Sequence, residues 1–156
     1  MTQILAILGM VALSLGLATV SALWPCYLSD DGNSFLKNFV NQELLSFLGV
    51  IVTITLASAA NLHLEFNRLQ DRTREGFPEA RSAVKAYAIL LMVLFAGAFV
   101  LVILKPLFAS DHITNAGFNS VAIVIVALSI LSLADLTLAI FRIPPLESLD
   151  NDDKPS

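Results

Sequence analysis

Charged residues are scarce in this chain. Asp, Glu, Lys and Arg make up 14 % of its 156 residues, whereas soluble domains carry about a quarter. The net charge is −4 and no basic patch is present, so nucleic acid is not an expected partner. Hydrophobic residues reach 56 % and fall in long blocks. This excess goes beyond the needs of a soluble core and predicts an integral membrane protein whose first partner is the lipid bilayer.

The chain also has few cysteine and histidine residues and none of the common catalytic motifs. The single cysteine, Cys26, excludes an intrachain disulfide. The two histidines, His63 and His112, are expected on opposite sides of the membrane, whereas zinc usually takes three or four ligands. His63 and Glu65 also point to nearly opposite sides of a helix. Because hydrolase elbows, phosphate-binding glycine loops and zincin boxes are missing too, we predict no catalytic residues, no metal and no cofactor, and therefore no enzyme.

Four long apolar blocks dominate the sequence. Each reaches the ~20 residues that a helix needs to cross ~30 Å of hydrocarbon, and none alternates like a barrel strand. The first block could also be a cleaved signal peptide, but it lacks a positive start and its apolar run is too long. We therefore predict an all-α integral membrane protein with four transmembrane helices in an up-down bundle, at residues 4–24, 44–64, 84–108 and 118–141.

Lys and Arg are distributed unevenly among the connecting segments. Most of them lie between the second and third blocks or after the fourth. Because cytoplasmic segments carry the excess of these residues, we expect both termini and the middle segment in the cytoplasm, under a plasma membrane that in a bacterium is the inner membrane. Lys105, at the outer end of the third helix, is expected to extend its ammonium outward to the membrane surface.

The second and third helices are predicted to continue beyond the lipid. No Gly or Pro occurs between the second block and Gly76, and Glu65 and Arg68 form a favourable i,i+3 pair. Pro78 suits the first position of the following helix. These features predict a cytoplasmic helical hairpin over residues 65–83.

The tip of this hairpin and the end of the chain are candidate contact regions. Phe77, at the tip, is either a contact for a partner protein or an ordinary turn residue. Residues 1–143 would form the transmembrane domain. Residues 144–156 are rich in Asp and Pro and are expected to form a disordered, acidic cytoplasmic tail.

The first loop is predicted to contain a turn and a short helix. The sequence Asp30-Asp31-Gly32-Asn33 lacks the spacing and the final Glu of a calcium loop, so we expect a simple turn. Asn33 or Ser34 can cap the following helix, which we expect to lie at the membrane interface.

Small and polar residues line one face of the second helix. Gly49, Thr53, Ala57 and Asn61 recur every four residues. Helices in lipid associate through small residues and polar contacts, because apolar area by itself does not favour protein over lipid. We predict that these four residues form a helix-packing face.

Asp135 lies inside the fourth apolar block, ~10 Å from its cytoplasmic end. An ionisable residue at such a depth is costly and is expected to have a partner. Asn61 and His63 lie at the same depth on the second helix. We predict that Asp135 pairs with one of them, or with Lys85 or Tyr87 on the third helix. The set Asp135, Asn61 and His63 is then either a polar clasp that holds helix register or an ion or proton site.

Three kinds of function remain open. The helix faces and the hairpin favour a small polytopic membrane protein that acts by assembly, as a homo-oligomer or with a protein partner, and conducts ions or perturbs the membrane. In helix number, orientation and charged middle loop, the layout resembles that of Rex-type phage-exclusion proteins, which implies depolarisation of the cell. The alternatives are a non-catalytic scaffold or subunit of a larger complex, and a small membrane enzyme that acts on a lipophilic substrate.

Overall fold

The computed structural model describes residues 2–73 and 78–141, and the side chains of residues 7–68 and 81–138. Within these ranges all regular secondary structure is helical, and no strand is present. A short 3-10 turn, Pro25–Tyr27, follows the first helix. The five α-helices are α1 (Thr2–Leu23), α2 (Ser34–Asn38), α3 (Leu44–Thr73), α4 (Pro78–Phe108) and α5 (His112–Phe141).

Three helical stretches are long and apolar enough to cross a membrane. Within the described residues they are Ser34–Arg68, Arg81–Phe108 and His112–Leu138, and α1 adds a shorter apolar stretch, Ile7–Leu23. Large apolar side chains remain exposed along all four long helices, as expected of helices that face lipid. The predicted all-α class is confirmed, and the architecture is compatible with a helical membrane protein.

The helix α5 begins earlier than the fourth apolar block indicates. It begins at His112 rather than at residue 118. Asp111 and Thr114 exchange hydrogen bonds around this first turn, which supplies partners for polar groups that a helix start leaves unpaired. Hydropathy did not indicate this start because the first turn of α5 is polar.

The helices α3 and α4 form an antiparallel hairpin. As predicted, α3 continues past its apolar block to Thr73, and α4 begins at Pro78. Arg81 Nη2 donates a hydrogen bond to Asn67 Oδ1 at 2.8 Å, which joins the two arms. The expected ion pair of Glu65 and Arg68 is present at 2.8 Å. The prediction for Phe77 lies outside the described residues, as does the one for the tail, 144–156.

The long helices pack in the order α3, α4, α5, α1. Each neighbour is antiparallel to the next: Ser21, near the end of α1, lies 3.4 Å from Ser120, near the start of α5, between their hydroxyl oxygens. Chain direction therefore alternates from one long helix to the next. We call the end of the bundle that holds Lys105 the Lys105 end, and the opposite end, which holds Tyr87, the Tyr87 end.

Two apolar clusters fill the space between the helices. The larger lies toward the Lys105 end and contains Leu36, Val40, Leu44, Leu48, Ala98, Leu101, Ala122 and Ile125. The smaller lies toward the Tyr87 end and contains Leu62, Phe66, Val84 and Leu136. Both clusters contain residues of α3, α4 and α5 and none of α1. These three helices therefore form the centre of the bundle, and α1 packs on its side.

A short non-helical segment of the continuous backbone, which we call the break, separates α2 from α3. Val40 (φ −81°, ψ 59°) and Asn41 (φ −151°, ψ −140°) depart from helical geometry between the two helices. The predicted short helix is present: Asn33 caps α2 by accepting a hydrogen bond from the Leu36 amide at 3.1 Å. Leu36 and Val40 are buried. The break thus lets α2 fold against the bundle.

Candidate functional site

A buried ion pair lies at the Lys105 end. Lys105 comes from the last turn of α4, and only 7 % of its surface is exposed. Its Nζ donates to Asp30 Oδ1 and to Asn119 Oδ1, both at 2.8 Å. The expectation that Lys105 extends to the surface was therefore wrong. The ammonium instead contacts a carboxylate and a side-chain amide inside the bundle.

Asn119 is the centre of this network. It lies on α5 and is fully buried. Its Nδ2 donates to the Leu28 carbonyl oxygen at 2.7 Å and to Asp30 Oδ1 at 3.0 Å, and Asn115 Oδ1, at 3.3 Å, shares one of its two hydrogens. Because its Oδ1 accepts from Lys105, one side chain joins the first loop, α4 and α5.

The electrostatics of Asp30 follow from these contacts. Burial acts to raise the pKa of this carboxyl, but hydrogen bonds from Asn119 and Lys105 and the charge of Lys105 outweigh burial. The pKa of Asp30 therefore lies below its usual value of 3.8. Asp30 is held as a carboxylate, and its charge is balanced by Lys105.

The first loop presents Asp30 through local hydrogen bonds. The predicted turn is present, and the backbone N–H of Asn33 donates to the Ser29 carbonyl oxygen at 2.9 Å. Ser29 itself is buried, and its amide donates to the Pro25 carbonyl oxygen at 2.8 Å. Gly32 lies so close to Cys26 that an added Cβ would overlap the Cys26 carbonyl oxygen. Glycine is thus required there by close approach of two backbone segments.

A cavity of about 300 Å³ adjoins the ion pair. It lies between the first loop, the break before α3 and the last turn of α4. Its walls combine charged and amide side chains with apolar ones: Asp30, Lys37, Val40, Asn41, Val102, Lys105, Pro106, Ala109 and Asn115. On the other side of the break, a hollow of about 670 Å³ is lined by Asn38, Phe39, Asn41, Gln42, Glu43 and Ser46.

The predicted polar set around Asp135 is only partly assembled. Asp135 is half-buried on α5, while Asn61 and His63 are exposed on α3. Within the described residues neither of these two forms a hydrogen bond or ion pair with Asp135. Its contact is Tyr87 on α4, through charge and side-chain hydrogen bonding. This was one of the partners predicted for Asp135, and it ties α4 to α5.

Most of the predicted packing face of α3 makes no contact with the other helices of the single chain. Thr53, Ala57 and Asn61 are exposed, and Gly49 is half-buried with Phe95 as its nearest neighbour, 3.8 Å from an added Cβ. On the opposite side of α3, larger side chains are buried instead: Leu44, Leu48, Ile51, Thr55, Leu62 and Phe66. A role of the small, polar face between chains stays a prediction.

Sequence reasoning missed the ion pair and its amide centre. Asn119 sits near the start of an apolar block, where it resembles a single tolerated polar residue. A usable signal was present in Lys105 and Asn119 together, because both lie beside the same short α4–α5 connection in an otherwise apolar context. The partner Asp30 is distant in sequence and could not be assigned in this way.

The described residues do not gather a metal site. No group of three or more His, Cys, Asp or Glu side chains comes together within them. Of the described carboxylates, one, Asp31, forms an ion-pair contact with the exposed His112, at 3.4 Å. In comparisons with known proteins, no protein-family model, no curated protein and no solved structure matches this chain.

Proposed function

We propose that this chain is an integral membrane protein that acts by assembling with copies of itself through one face of α3. The observation that carries the proposal is the exposure of Thr53, Ala57 and Asn61 on the side of α3 that faces away from the bundle. Small residues let helix backbones approach closely in lipid, and polar side chains form hydrogen bonds between helices.

Asn61 adds a specific reason for a second chain. It is exposed and forms no hydrogen bond within the part of the chain that is described. A polar amide on a membrane helix gains by finding a partner, and such interhelical contacts contribute about 0.6–2 kcal/mol each. A symmetric pair of Asn61 side chains would supply both the donor and the acceptor.

The proposed topology has four membrane-spanning helices. The 22 residues of α1 span ~33 Å at ~1.5 Å per residue, enough to cross the hydrocarbon. The excess of Lys and Arg supports a cytoplasmic position for the α3–α4 hairpin and both termini, in a plasma membrane. The Tyr87–Asp135 contact supports a role in helix register for Asp135.

Cysteine cross-linking in the native membrane tests the assembly. In a Cys26→Ser background, Ala57→Cys is expected to form disulfide-linked dimers on mild oxidation, because identical faces meet. The matched control is Val93→Cys, an exposed position of α4 at a similar distance from the hairpin turn. Equal dimer yields at the two positions, or none at Ala57→Cys, would refute assembly through this face.

A second variant distinguishes a specific contact between the α3 helices of two chains from random collision of the introduced cysteines. Asn61→Leu in the Ala57→Cys chain removes the polar contact and keeps the branched shape of the side chain. We expect a clearly lower dimer yield at equal expression. An unchanged yield would show that Asn61 does not contribute to the interface.

A further inference from the structure

We propose that the cavity beside Lys105 binds a phosphate-type oxyanion, carried by a phospholipid headgroup or present as free phosphate. The cavity holds about 300 Å³, the lower end of the range for small-ligand sites. Two lysines, Lys37 and Lys105, and two amides, Asn41 and Asn115, line it. This site is distinct from the proposed assembly face, and either proposal can fail without the other.

Lys105 retains donor capacity toward the cavity. An ammonium has three N–H donors, and the hydrogen bonds to Asp30 and Asn119 use two of them. The side chain is buried yet forms part of the cavity wall. Its third donor can therefore bind an oxygen that enters the cavity, and the network holds the ammonium in place beforehand.

The charge balance of the walls favours a monoanion. Asp30 and Lys105 compensate each other at 2.8 Å. Lys37 is exposed on α2 and forms no ion pair with any described residue, so the cavity carries one uncompensated positive charge. A phosphodiester has the matching single negative charge, and charge-assisted hydrogen bonds to its oxygens are among the stronger ones in proteins.

A segment of irregular backbone lines one side of the cavity, and a proline within a helix lines another. The break at Val40 and Asn41 forms one wall. Pro106 forms another, and proline has no N–H to donate to the carbonyl of Val102, one turn earlier. In membrane proteins, irregular backbone at depth is tolerated where it lines a cavity, and broken helices often mark binding sites.

Apolar surface next to the cavity favours the lipid as the source of the phosphate. Leu107 and Phe108 directly follow Pro106 and are exposed, as is Phe35 on α2. Acyl chains can lie along these side chains while the headgroup enters the cavity. Free phosphate shares the headgroup chemistry but not this second contact.

Binding to purified protein in a neutral detergent tests the proposal. The shift of the thermal unfolding midpoint is measured with three probes: short-chain phosphatidylglycerol, sodium phosphate, and diacylglycerol of the same chain length. We expect saturable stabilisation by phosphatidylglycerol and none by diacylglycerol. Stabilisation by sodium phosphate as well would identify free phosphate as a sufficient ligand, whereas its absence would assign the site to the lipid.

Lysine variants locate the site. Lys37→Ala is expected to weaken phosphatidylglycerol binding roughly tenfold, since one charge-assisted contact is lost. The matched control, Lys85→Ala, removes an exposed lysine at the other end of the bundle and should leave affinity unchanged. Lys105→Ala should abolish binding, and if it does not fold, Lys37→Ala decides. Equal binding of diacylglycerol, or equal losses in Lys37→Ala and Lys85→Ala, would overturn the proposal.

Discussion

Asn119 joins three parts of the chain through one buried side chain. Its amide contacts the first loop through Leu28 and Asp30, and α4 through Lys105. Lys105 is charged and buried, so removing its partner would leave an uncompensated ion, at a cost of about 3–5 kcal/mol. At the scale of single residues, the Lys105 end is therefore held together by polar contacts rather than by apolar packing alone.

The lowered pKa of Asp30 predicts a specific loss of stability in acid. Because the pKa is lower in the folded chain than the usual 3.8, folding favours the carboxylate. Its contribution is complete above the unfolded pKa and is lost as pH falls through the folded pKa. We expect the difference in unfolding free energy between the wild type and Asp30→Asn to be constant above about pH 5 and to shrink below pH 3.8.

The neighbouring Asp31 provides the control for this measurement. It is exposed, and among the described residues its one ion-pair contact is His112, at 3.4 Å, so Asp31→Asn should keep the acid-dependent loss of the wild type. Detergent-solubilised protein can be unfolded with denaturant at several pH values to obtain the three curves. If Asp30→Asn shows the same acid-dependent loss as the wild type, Asp30 does not contribute through its carboxylate.

The first loop shows how a short element positions a distant charge. The 3-10 turn Pro25–Tyr27 and the capped helix α2 hold the residues between them in a compact turn. The Asn33 cap and the turn could be predicted, because both depend on residues adjacent in sequence. The path of the loop back toward Asn119 could not, because it depends on contacts with α5.

Gly32 is the position where this element tolerates no side chain. Gly32→Ala is expected to lower the free energy of unfolding by about 1–3 kcal/mol, because the added methyl group would overlap the Cys26 carbonyl oxygen. Gly97→Ala on α4 is the control, since its Cβ would meet open space and alanine favours helix. Equal unfolding midpoints for the two variants would contradict the close approach.

Across the whole molecule, α3, α4 and α5 form the centre and α1 packs only on its side. Tyr87–Asp135 and Lys105–Asn119 both join α4 to α5, near opposite ends. By contrast, α1 contributes the serine contact to α5 and leaves many apolar side chains exposed. The face of α1 that points away from α5 is therefore apolar and exposed.

The proposed orientation can be tested with Cys26, which is exposed in the first loop. A membrane-impermeant maleimide should label Cys26 in intact cells, because this loop is proposed to face outward. Ser82→Cys in a Cys26→Ser chain, exposed at the other end of the bundle, should be labelled only after permeabilisation. The reverse pattern would invert the topology and refute the assignment based on Lys and Arg.

The sequence by itself determined the helical class, the extents of most long helices and the turn before α2. These depend on local composition: long apolar blocks, caps, and the Gly-Pro punctuation of the hairpin. It also indicated partners for Asp135, of which the structure selected Tyr87. The distance of a residue from the end of its predicted helix can be counted from the sequence. The direction in which its side chain points relative to the neighbouring helices cannot.

Only the tertiary structure decided which faces meet. It buried the large apolar face of α3 and left Thr53, Ala57 and Asn61 outside. It also brought Asp30 to Lys105, 75 positions later. The physical reason is that the rotation of each helix and the path of the loop depend on contacts with several other helices at once. These contacts join residues far apart in sequence, so no single stretch of sequence determines them. The buried ion pair and its cavity are products of this packing.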